Sequence, residues 1–290
     1  MSDLSSDNRA ITIALLTALI FVSLSLTQTM RGNDAREQVT RIVAQIQRAD
    51  YEGEQAAMQR GYDDLKPFLE DKEFASRIRY WRAFAQWRRA INSFNDAVDP
   101  KELEQNLKLA LDEFNIAMEK DPAFVDAKVG MISCLGYLAF MNRQDQARAK
   151  ELVGQIMPLV KQADEMAPEN PRLIWVHGPI LWNTPPERGG GQDKAIQNYR
   201  RGLEICSKIK ASADPLEPSW GKPELMMTLA YCYLNAKAAD VNAAEHYARE
   251  ALEIVPYWHY VRDILLKQIV AAKAKVQSSS IKTDEPAKSD

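Results

Sequence analysis

The apolar positions of this chain recur mostly at helical spacing, and several of the helices they define carry two small residues seven apart. In LALDEFNIAMEKDP, Ala110 and Ala117 precede Pro122, and in AAEHYAREALEIVP, Ala244 and Ala251 precede Pro256. Residues seven apart lie on one helical face, so each pair forms a strip on which a neighbouring helix can approach closely, and the proline ends the helix. Degenerate copies are Ile156, Ala163 and Pro168, and Ala195, Gly202 and Leu203 with Ser207 in the closing position. Repetition of this kind predicts an all-α array of helical repeats, an architecture that offers a binding surface.

The stretch from Phe74 to Phe94 predicts the most aromatic helix. Tyr80, Phe84, Trp87, Ile91 and Phe94 form one stripe, and Phe74, Ile78, Trp81 and Ala85 a second. Two stripes imply two packed neighbours, as in the first helix of a repeat. Arg77, Arg79, Arg82, Arg88 and Arg89 fall on the remaining arc, which reads as a solvated or salt-bridged face or as a surface for an acidic partner. Further helices follow over Val125 to Met141 and Gln144 to Met166, and the repeats extend over 73–256. A capping helix over 257–276 and a disordered polar tail over 277–290 complete the chain.

Ahead of the repeats, a polar tail (1–9) leads into AITIALLTALIFVSLSLTQTM, residues 10–30, with no charge between Arg9 and Arg31. As a helix this segment spans about 31 Å, close to the hydrocarbon core of a bilayer. A transmembrane helix is the direct reading, and a cleaved signal peptide, with Ser23 and Ser25 near the cut, is the alternative. The short N-terminal tail favours an exported, periplasmic domain, whereas Arg31, Arg36 and Arg41 after the span favour retention. Over 31–72 the sequence predicts a helical stalk and lead-in helices, with Val39, Ile42, Val43 and Ile46 as the stalk's apolar stripe.

Gly178 and Ala230 at the small position of first helices, Tyr233 three residues on, and the Ala-x6-Ala-x4-Pro frames of second helices resemble the tetratricopeptide repeat family. The closing positions 122, 168, 207 and 256 are unevenly spaced and exceed the family's 34-residue unit. The resemblance therefore implies an irregular helical-hairpin solenoid whose first helices line a concave, protein-binding face. Exposed residues of those helices, Arg82, Arg89, Asn142, Asn183 and Asn235, are the candidate contacts.

In TPPERGGGQDKAIQNY, Arg188, Gly189, Gly190, Gly191 and Lys194 stand around a helix start. Exposed amides there can bind an anion, and glycines also serve where a loop reverses tightly between helices. The loop is similar to the corresponding turn in the helical-repeat T component of TRAP transporters, over residues 120 to 256. That resemblance implies an exported accessory factor for solute uptake, with a pocket between Trp175, Trp182, Trp220 and Tyr233.

A net charge of -3 gives no electrostatic reason to expect a nucleic-acid partner. His177, His246 and His259 are isolated from one another and from Cys134, Cys206 and Cys232, which themselves sit in apolar helical patterns. No metal-binding spacing, nucleophile elbow or phosphate loop is present, so the sequence points to no catalytic residue, metal or cofactor. The expected function is a membrane-anchored scaffold or accessory subunit that binds protein partners in a membrane complex.

Overall fold

The structure, a computed structural model, describes residues 34–94, 98–210 and 212–283, with side chains through residue 277. The polar tail and the apolar segment 10–30 lie outside the described residues, among which no helix is long and apolar enough to cross a membrane. Residues 34–52 form α1. There follow α2 (Gln55–Asp64), α3 (Ala75–Ser93), α4 (Pro100–Lys120), α5 (Val125–Met141) and α6 (Gln146–Met166). The chain continues through α7 (Pro171–Asn183), α8 (Gln192–Lys208), α9 (Lys222–Asn235) and α10 (Val241–Ile254). A π-helical turn, Tyr260–Leu265, then runs into α11 (Leu266–Thr283).

Short polar side chains set where these helices begin. Asp99, Asp145, Asn170 and Asp240 each accept a backbone N–H from the first turn of α4, α6, α7 and α10, and proline occupies the first turn of α4 and α7. The proline costs nothing there because first-turn amides have no partner within the helix.

Consecutive helices pair as hairpins through the small-residue strips. Ala110, Ala117, Ala163, Ala195, Ala244 and Ala251 are all fully buried. A Cβ on Gly178 of α7 would stand 2.0 Å from the Tyr199 ring of α8, and one on Gly130 of α5 would stand 2.2 Å from Phe114 of α4. In both places a large ring occupies the space that the glycine leaves empty, so the backbones approach closely.

Two boundaries differ from the sequence reading. The apolar stripe of α1 does not project as a stalk: Val39, Val43 and Ile46 are buried in the main core. Gly61 of α2 lies directly against Ile46, so the first two helices form part of the array itself. At the other end the backbone stays helical through Thr283, where a disordered tail was expected from 277.

The glycines separate by environment. Gly178→Ala should lower the melting temperature by several degrees, because the new methyl group must displace Tyr199 from a full interface. Gly136→Ala in α5, where a Cβ meets nothing within 4 Å, should instead raise stability by about 0.5–1 kcal/mol through helix propensity. Thermal and denaturant melts of the two variants check both signs.

Candidate functional site

The concave face is closed rather than open. Between α8 and α9 the chain crosses back onto α3: Trp81 Nε1 donates to the Leu216 carbonyl at 2.8 Å, and Trp220 Nε1 donates to the Tyr80 hydroxyl at 2.8 Å. Trp220 then meets Trp87 at 5.5 Å and Trp175 at 5.6 Å between ring centroids, both edge to face. Trp175 and Trp220, two of the four residues between which the solute-uptake reading placed its pocket, are thus in direct contact. Tyr233 is stacked on Tyr247 at 5.7 Å.

Helix α1 seals this closure with buried charge. Arg88 Nε donates to Asp50 at 2.8 Å, and Asn92 donates to the same carboxylate oxygen and to the Asp50 carbonyl. Tyr51 donates to Glu224 at 2.7 Å, and the second Glu224 oxygen accepts the Gly221 amide at the start of α9. Burial pushes the Glu224 carboxyl upward, against the pull of the Arg88 charge. Burial also works against the Arg88 charge, yet Asp50 and Glu224 hold its pKa above the usual arginine value. The guanidinium therefore stays charged in the interior.

The proposed contact residues do not form one surface. Arg82 is 6% exposed: its guanidinium lies over the Tyr62 ring and donates to Glu113 at 2.8 Å, and Arg79 bonds the other oxygen of the same carboxylate at 2.9 Å. Arg89 is half-buried and bonded to Gln59 and Gln86. Both arginines tie helices together, where the sequence reading had them exposed. Glu113 carries the signal that could have revealed this, because it stands three residues after Ala110 on the buried face of α4.

Asn142, Asn183 and Asn235 share a different role. Each donates its side-chain amide to the carbonyl four residues earlier, respectively Leu138, Pro179 and Tyr231, at 2.8–2.9 Å. Each adds a second donor to a carbonyl in the last turn of α5, α7 or α9. In the glycine-rich loop the amides of Gly189, Gly190 and Gly191 donate to the carbonyls of Pro186, Pro185 and Leu181. Gly189 and Gly191 have φ of 85° and 113°. The glycine amides are thus spent on the reversal rather than held open for an anion, while Arg188 and Lys194 are exposed beside it.

A cleft lies between α5, α6 and α7, with a volume of about 500 Å³. Its origin is visible in the repeat frame. Where other second helices carry Ala110, Ala195 or Ala244, α6 carries Ile156, so it packs on α5 but scarcely reaches α7. The walls include Ile132, Ile156, Val176 and Ile180, and Gly136 opens one side. Phe140, Val153 and Met157 stand at its rim, 56%, 48% and 54% exposed. Ser133, Asn183 and Thr184 are among its polar lining, and of the sequence-derived candidates Asn183 and Trp175 reach the cleft. Among the described residues no group of three or more His, Cys, Asp or Glu gathers as metal ligands.

Similar architecture occurs in solved structures. The HusA haemophore from Porphyromonas gingivalis matches with a TM-score of 0.56 at 19% identity, over 69% of this chain and 94% of that one. The tetratricopeptide protein TTC0263 from Thermus thermophilus matches with a TM-score of 0.54 at 16% identity, over 81% of this chain and 99% of that one. The fold is a tetratricopeptide-like helical repeat. No protein-family model and no curated protein matches the chain.

If Arg79 and Arg82 are internal ties, removing their shared carboxylate must strand them. Glu113→Ala should cost about 3–5 kcal/mol, as expected for breaking a buried pair from one side. Urea unfolding of the purified chain reads this loss directly.

Proposed function

We propose that this protein is a membrane-anchored helical-repeat scaffold that receives an apolar helical segment of a partner protein in the cleft between α5, α6 and α7. The observation that carries the reading is the rim of that cleft, where Phe140, Val153 and Met157 remain exposed around an apolar interior. Val153 and Met157 are one helical turn apart on α6, and a partner helix presenting apolar residues at the same spacing would dock along them. Residues 10–30 would hold the array at a membrane, on the exported side, and the protein would act by binding rather than by catalysis.

The size and lining of the cleft favour a second reading. A volume of about 500 Å³ falls within the range of small-molecule sites, so an apolar ligand could fill it. The likeness to a haemophore and the loop resembling a solute-uptake component fit this alternative, in which the protein is an exported accessory factor.

A photo-crosslinking residue at Met157 should trap a discrete protein in the membrane fraction, and the same residue at exposed Lys208 should not. Adding Val153→Asp should reduce the Met157 adduct at least tenfold. Recovery of adducts only between copies of this chain would defeat the scaffold reading. A bound apolar molecule seen by native mass spectrometry, with no protein adduct, would establish the second. Protease added to intact spheroplasts should digest the array if it is exported.

A further inference from the structure

A separate cavity of about 250 Å³ lies where α3, α5, α7, α9 and the π-helical turn converge. Trp175 and Trp258 contribute to its walls, and the phenols of Tyr137, Tyr199, Tyr231 and Tyr260 line it from four different elements. Among the described residues Arg88 is the one charged member of the lining. We propose that this cavity binds a small aromatic carboxylate, with Arg88 receiving the carboxylate and the aromatic walls receiving the ring. The proposal stands independently of the cleft reading, although Tyr137, Trp175 and Pro179 border both spaces.

The chemistry follows from what Arg88 has already committed. A guanidinium carries five N–H donors, and the bond to Asp50 uses the one on Nε, so the terminal nitrogens retain the planar fork that fits a carboxylate. The group is 3% exposed and lies 5.6–5.8 Å from the centroids of Phe84, Trp87 and Trp175. Away from water such a charge interacts more strongly with an anion than at a surface. Asp50 of α1 holds the guanidinium at Nε, and the Glu224 carboxylate of α9 adds to the field that keeps it charged.

Three of the phenols stay protonated at neutral pH. Burial raises the hydroxyls of Tyr137, Tyr199 and Tyr260, the last to about 12, so each keeps its proton. Flat rings from several directions suit a planar apolar body, and the volume limits that body to a small molecule. An anion with no ring would leave the aromatic walls unfilled. A neutral ring would leave Arg88 without its second partner.

Calorimetric titration of the full chain with benzoate, and with benzyl alcohol as its neutral counterpart, tests the assignment. Benzoate should bind at least tenfold more tightly than the alcohol and change the tryptophan fluorescence. Met227→Trp, which puts bulk into the cavity without touching the buried charges, should weaken benzoate at least tenfold. The double variant Arg88→Met with Asp50→Asn removes both buried charges together, and its benzoate affinity should fall to that of the alcohol. Equal affinity for the two probes, no benzoate binding, or unchanged affinity in Met227→Trp would each overturn the proposal. Should the double variant fail to fold, the probe comparison and Met227→Trp still decide it. Val153→Asp should leave benzoate binding unchanged, which separates failure here from failure of the cleft reading.

Discussion

The arrangement depends on the burial of α3. Thirteen of the nineteen residues of α3 are buried, between α2, α4 and a loop that returns to it. That loop comes from far along the chain, through Trp220 and the Leu216 carbonyl, 140 and 135 residues away from their partners. Two indole N–H groups that would be costly to bury unpaired each find an acceptor in that contact. With the loop seated there, α3 is covered rather than left open as a groove.

The division of labour among polar residues follows from the same closure. Arginines on α3 that look like a solvated arc are drawn inward because acids on other elements meet them: Glu113 from α4 and Asp50 from α1. Each bridge is worth little as net stability, since desolvation offsets attraction. Their value lies in specifying which helix lies against which, because any other pairing would strand a charge. That specificity matters in an array whose apolar strips are similar enough to mispair.

The legible part of the fold was local. Alanine and glycine seven apart and prolines after second helices act within one or two helical turns, so periodicity alone exposed the hairpins. Closure of the array was not legible, because nothing near Trp220 in sequence announces a contact with Tyr80. The same distance hid the true partners of Arg82 and Arg89. The cleft lay between these cases. Ile156 at a position held elsewhere by alanine was visible as a degenerate repeat, yet its effect, a helix held off its neighbour, needed the neighbouring helix α7 to be in place.

The contact between α1 and the segment leading into the π-helical turn changes what kind of object this is. Tyr51 of α1 meets Trp258 at 4.9 Å, Arg48 lies over Tyr257, and Gly53 abuts His259. Open solenoids behave as one-dimensional stacks whose terminal units can fray without disturbing the centre. Here the first and last units clasp each other, so the stack has become a ring. Loss of either terminus releases both, and disorder can then enter from two directions at once. Such a chain should trade the gradual, spring-like elasticity of a linear array for a single cooperative opening.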